Sequence, residues 1–212
     1  MEFSSKQDKE CRHRQRNAIV RAAATLFRRN GFAATGINEI VKVSGAPKGS
    51  LYHYFPNGKD EIAVAAVRFA GNALVATLEK LEQEHKSAAA LIQAYCQLLA
   101  GWMAKSGFRD GCPITTTLLE TAPQSADVAA AGREAFDGWH AVIARVLIRD
   151  GFGKAEAMRL ATLTISALEG ALILARIESN ARPINDVAKS LAKVLQIGTP
   201  VRKRNSPKRT IS

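Results

Sequence analysis

Residues 37–54 read INEIVKVSGAPKGSLYHY. Two short helices separated by a tight turn fit this stretch. The first covers about 37–43, with Ile40 and Val41 on its buried face. Ser44-Gly45-Ala46 follows, and Gly45 falls where such a turn needs a left-handed residue. A second helix opens at Pro47, whose fixed φ and missing N–H suit a helix start. Ile40, Val41, Leu51 and Tyr54 are spaced to pack where the two helices cross. This is helix-turn-helix spacing, and such a motif lays its second helix in the major groove of a duplex. Lys48, Ser50, Tyr52 and His53 remain on the outer side. Lys48 reaches a phosphate or a guanine edge, and the hydroxyls of Ser50, Tyr52 and Tyr54 suit phosphate oxygens. Gly49 permits close approach of the helix backbone. Thr35 precedes the first helix, where its hydroxyl and nearby amides are placed for a phosphate. Lys59, just beyond, reaches for the same backbone.

Working outward, Ile19, Ala22, Ala23, Leu26 and Phe27 recur at helical spacing within a helix expected over 9–30. Six arginines between 12 and 29 decorate it, and Gly31 is placed to end it with positive φ. Residues 1–8 are expected as a disordered arm. Downstream, Asn57 is the expected N-cap of a helix over 58–86, with Asp60 at the capping-box position. Further helices are expected over 87–105, 113–121, 125–149, 154–179 and 183–196, punctuated by glycines and prolines. No stretch alternates as a strand would, so the expectation is an all-α chain of about nine helices.

The 212 residues carry a formal charge of +11, unevenly spread. Residues 1–60 hold 11 Lys/Arg against 5 Asp/Glu, and residues 61–199 balance at 14 each. The last thirteen hold five cations and no acid: Arg202, Lys203, Arg204, Lys208 and Arg209. A basic head on a neutral body points to a polyanion partner for the head. The tail 198–212 reads as basic and disordered. Cys11, Cys96 and Cys112 are odd in number and lack metal-ligand spacing, so neither a zinc site nor a disulfide framework is expected, and no cofactor. That usage fits a reducing cytoplasm. The N-terminus is too charged for a signal peptide. The apolar run 160–177 contains Glu169 and Arg176, which argues for a protein-buried helix and against a membrane span.

Residues 9–62, and most specifically Gly45-Ala46-Pro47-Lys48-Gly49-Ser50-Leu51-Tyr52-His53-Tyr54-Phe55 followed by Lys59, closely resemble the DNA-binding domain of the TetR family of bacterial transcriptional regulators. The opening Pro47-Lys48-Gly49-Ser50 and the later Gly111-Cys112-Pro113-Ile114 are similar to its LmrA/YxaF-like branch. Many members carry Thr or Ser where this chain has Gly36, which weakens the cap of the second helix. The resemblance implies a three-helix DNA-binding domain at 9–57 and a helical regulatory and dimerisation domain at 58–197. It also implies a homodimer on a double-stranded, pseudo-palindromic operator, with the last two helices pairing in a four-helix bundle. Two readers would then stand roughly 34–36 Å apart. Leu163, Ile165, Ile173 and Ile177, with Val187, Leu191 and Val194 on the last helix, are the expected interface.

The resemblance also places a small-molecule effector in the neutral body. Tyr95, Leu99, Trp102 and Met103 on one helix, and Phe136, Trp139, His140 and Ile143 on another, suit an aromatic or amphipathic compound. Phe108, Cys112, Leu119 and Glu120 lie between them, and Leu168, Glu169 and Leu172 on a third helix complete the expected pocket. Glu169 needs a partner amid apolar neighbours, and a protein group such as Arg176 or His140 is preferred over a cationic ligand. Binding there is expected to shift the fourth helix and spoil the fit of the readers. Two other functions are weighed. An enzyme built on His140 with Glu120 or Glu169 lacks nucleophile–base spacing. A redox-sensing regulator would use Cys112, whose place beside a helix N-terminus lowers a thiol pKa.

Overall fold

The computed structural model describes residues 2–196, with side chains from His13 onward. Among these residues there are nine helices and no strand. The basic tail and the Cys11 side chain lie outside that description. Helix α1 (Glu2–Asn30) begins at Glu2, so the backbone expected as an arm continues the helix. Then come α2 (Ile37–Ser44), α3 (Lys48–Tyr54) and α4 (Lys59–Glu84). The rest are α5 (Ala88–Lys105), α6 (Pro113–Thr121), α7 (Ala126–Arg149), α8 (Lys154–Glu178) and α9 (Arg182–Val194).

Local chemistry sets most of these ends. The hydroxyls of Ser87 and Ser125 accept from the amides of Ala90 and Val128, capping α5 and α7. Asp150, past the end of α7, accepts from the Ala88 amide at 2.6 Å and so ties α7 to the start of α5. The start of α4 differs from expectation. Gly58, at φ 73°, holds the cap position, and Glu61 rather than Asp60 reaches back, to the Asn57 amide at 3.0 Å. Gly36 caps α2 without a side chain.

Helix α1 packs on α2, α3, α4 and α6, so the head is built onto the body through a shared helix. Ile19, Ala23, Phe27, Ile40, Leu51 and Phe55 form the buried centre of the head. In the body α4 and α7 run face to face. A Cβ on Gly71 would stand 2.6 Å from the Cβ of Ala135, so the absence of a side chain there lets the two backbones meet. Glu82 of α4, bonded by Arg145 and flanked by Arg149, ties the far end of the same seam. Those guanidiniums hold its carboxyl below the usual range.

Helix α8 packs against α7 and α9. Its outer side nonetheless carries Leu163, Ile173, Leu174 and Ile177, the last 74% exposed. Ser166 and Gly170 lie between them at helical spacing. Ile165 and Leu191, expected on that face, point inward and are buried within the protomer. Val187 packs partly on the core, and Val194 is exposed.

Replacing Gly71 by Val forces α4 and α7 apart. We expect a loss of about 1–3 kcal/mol, read as a lower unfolding midpoint by circular dichroism. An unchanged midpoint would show that the seam relaxes freely.

Candidate functional site

Seven residues are too few to hold a helix in water, so α3 depends on what it packs against. Leu51 and Phe55 are fully buried and anchor it beneath α1. Gly45 turns at φ 66° and donates its amide to the Val41 carbonyl at 3.1 Å. The Ser44 hydroxyl donates to that same carbonyl at 3.0 Å and accepts from the Ala46 amide at 3.2 Å. This fixed turn leaves Pro47, Lys48, Gly49, Tyr52 and His53 exposed on one side, with Ser50 partly so. Tyr54 is half-buried, and its hydroxyl donates to Gln15 of α1 at 3.3 Å. No atom lies within 4 Å of where a Gly49 Cβ would sit, so nothing within the described residues requires glycine there.

Two expected contributors stand elsewhere. Thr35 is fully buried, and its hydroxyl donates to the Gly31 carbonyl at 2.7 Å; it closes the α1–α2 corner and faces no solvent. Lys59 lies over the Phe32 ring at 4.3 Å and donates to the Ala33 carbonyl at 3.3 Å. Burial draws its ammonium down, against the pull of Glu120 and Asp60. It braces the corner in this state.

A cavity of about 630 Å³ opens between α1, α4, α5, α8 and the 106–113 segment. That volume suits a small organic molecule. Tyr95, Leu99, Trp102, Met103, Cys112, Trp139, Leu168, Glu169 and Leu172 line it as expected from the sequence. Tyr95 meets Trp102 and Trp139 edge-on, with ring centroids 6.3 and 6.2 Å apart. Six other expected residues are not on the wall. Phe108 ends α5 with positive φ, and Leu119 is 74% exposed. Phe136 stacks behind Trp139, and Ile143 is buried in the core. His140 is engaged with the Phe136 carbonyl and the Thr162 hydroxyl. Glu120 lies against the α1–α2 corner, where it accepts from the Ala33 amide. The sequence reading missed the opposite wall, made by Arg21, Ala24 and Thr25 of α1 and Phe69, Ala70 and Ala73 of α4. The small residues Ala24, Ala70 and Ala73 were the available signal, since they leave room between two long helices.

Glu169 is the polar centre of this cavity. Its Oε1 is buried without a hydrogen-bond partner, as is Nε1 of Trp139. The Cys112 thiol and Thr115 hydroxyl face the carboxyl and favour its charge, but burial outweighs them and raises its pKa. The preferred protein cations are occupied elsewhere: Arg176 donates to the Arg29 carbonyl at 3.3 Å, and His140 is held as above. Cys112 stands at the cap of α6, yet burial, with the nearby carboxyl, pushes its thiol well up. The helix terminus does not make it a ready thiolate.

Comparison with known proteins agrees with this arrangement. Residues 19–66 match the family described as bacterial regulatory proteins, tetR family. Residues 88–190 match the transcriptional regulator LmrA/YxaF-like C-terminal domain. The HTH-type transcriptional regulator YxaF of Bacillus subtilis is 36% identical over 176 residues, covering 83% of this chain and 92% of that one. LmrA of the same organism is 29% identical over 181 residues, covering 85% and 96%. A crystal structure of a TetR transcriptional regulator from Chloroflexus aurantiacus superposes with a TM-score of 0.73 at 28% identity, covering 89% and 97%. A TetR regulatory protein from Rhodobacter sphaeroides shares the fold, with a TM-score of 0.75 over 84% and 96% at 23% identity. The anchored reader at the head and the LmrA/YxaF-like body are parts of one design, and the chain belongs to the TetR family of transcriptional regulators, which are not enzymes.

Proposed function

We propose that this regulator is a repressor that holds a pseudo-palindromic operator as a homodimer and releases it when a small aromatic or amphipathic molecule enters the cavity. The observation that carries this reading is the exposed row Pro47, Lys48, Gly49, Tyr52 and His53 on a helix locked from behind by Leu51. Gly49 supports it, because a glycine with open space around it favours close approach by an external backbone. A DNA partner places the protein in the cytoplasm.

The second subunit is supported by the outer side of α8. Leu163, Ile173, Leu174 and Ile177 form an apolar stripe larger than a lone surface residue explains, and Ser166 and Gly170 allow a mate to approach closely. The effector reading is supported by aromatic walls around a carboxyl whose Oε1 has no hydrogen-bond partner. Arg28 of the head and Glu169 of the body line the same space, so an occupant touches both parts. A coupling of about 1–3 kcal/mol weakens operator binding roughly 5–150-fold. We expect α4, which supplies much of the wall, to shift with it.

Selection of bound sequences from random duplexes tests the reading directly and should return a pseudo-palindrome. On that duplex, Lys48→Ala with Tyr52→Ala should weaken binding by at least about 30-fold, at about 1–3 kcal/mol per good contact. Affinity should fall steeply with salt. Binding unchanged by both substitutions would remove α3 from the interface. Ile173→Glu with Ile177→Glu should convert a dimer to single subunits in analytical ultracentrifugation; a dimer that persists would place the interface elsewhere. Glu169→Gln tests the buried carboxyl. The native state resists its ionisation, so wild type loses stability relative to the variant as pH rises from about 4, where the unfolded chain ionises, through the raised native value. The melting-point advantage of the variant should therefore be near zero in acid and reach a plateau in base. An advantage independent of pH would contradict the burial effect.

A further inference from the structure

The C-terminal end of α1 is gripped from the body at four points. A helix end leaves its last carbonyls without partners in the helix. Here the Arg28 carbonyl accepts from the Gly111 amide at 2.9 Å, and the Arg29 carbonyl accepts from Arg176 of α8 at 3.3 Å. Asp110, its side chain only 11% exposed, pairs with Arg28 at 2.9 Å and Arg29 at 3.0 Å. One turn further, Glu120 of α6 accepts from the Ala33 amide, while Lys59 of α4 holds the Ala33 carbonyl. A Cβ on Gly31 would overlap the Glu120 carboxylate, so the contact is built into the corner. Four segments of the body thus converge on residues 28–33, immediately before the helix-turn-helix.

We propose that Asp110 and Glu120 are positioning residues: they clamp the α1–α2 corner to the body and thereby fix the separation and tilt of the two reading helices in a dimer. The head's own core does not include them, so they set where a reader stands, not whether it is folded. Glu120 lies on α6, which begins at Cys112 and Pro113 on the cavity wall, and Asp110 lies in the segment that leads into it. Arg28, Arg29, Asp110 and Gly111 line that wall themselves. This inference rests on the dimeric, two-reader reading above.

The test uses the full-length protein, a duplex carrying the complete selected palindrome, and a duplex carrying one half-site. Asp110→Ala with Glu120→Ala should weaken binding to the palindrome by about 5–150-fold, the range of an ordinary coupling between sites. Half-site affinity should stay within about twofold, since one reader needs no fixed partner distance. Glu120→Gln, whose amide oxygen still accepts from Ala33, should behave as wild type on both. Equal losses on both duplexes would mean local unfolding and overturn the proposal; so would no loss on either. Amide exchange over residues 31–35 supplies a readout independent of DNA. It should accelerate at least about tenfold in the double variant, reflecting local opening, and unchanged exchange would also overturn the clamp. A wild-type protein that prefers the palindrome no more than the half-site would instead defeat the two-reader reading, with the exchange result still deciding whether the corner is clamped.

Discussion

A helix as short as α3 takes its orientation from whatever it rests on. Leu51 supplies that contact, inserted without exposure beneath α1, with Phe55 closing the next turn. Every outward group on α3 has its direction because Leu51 has none to spare. The turn adds the second constraint. Gly45 reverses the chain in a left-handed conformation, and the Ser44 hydroxyl fastens both sides of the reversal. The basic, polar face of the head follows from these few contacts, and the neutral body has only to hold the head in place.

The local grammar of helices was legible in the sequence. Ser87, Ser125, Gly31, Gly45 and Pro113 stand at the helix boundaries that their chemistry favours. The short helix after the Gly45 turn followed from spacing, and nine residues of the cavity wall are among those expected. What escaped were partners that the folded chain supplies, most of them far away in sequence. Glu120 is expected in the cavity, yet its partner is an amide 87 positions earlier. Thr35 and Lys59 looked free for phosphate, and both are turned to bracing the same corner. Ile165 shares α8 with the exposed stripe and Leu191 shares α9 with the exposed Val194, but helix rotation buries both. Periodicity identifies an apolar face; it does not say which neighbour covers it.

The cavity joins two unlike demands. Its Tyr95, Trp139 and Leu168 side disfavours charge, yet it encloses the Glu169 carboxyl, whose Oε1 is left without a hydrogen-bond partner. Such a group lowers the stability of the folded protein, and the cost is relieved when something donates to it or when it takes up a proton.

The meeting of Gly31 with Glu120 has a further consequence for how such a chain can change over generations. Any side chain at position 31 occupies the space that the position-120 carboxylate fills, and it must also tolerate φ of 88°. Neither position is free to drift by itself. A lineage that shortens residue 120 gains space at 31 while losing the acceptor for Ala33, so replacements at these two distant sites are expected to travel as a pair, leaving a trace of the head–body junction in aligned descendants.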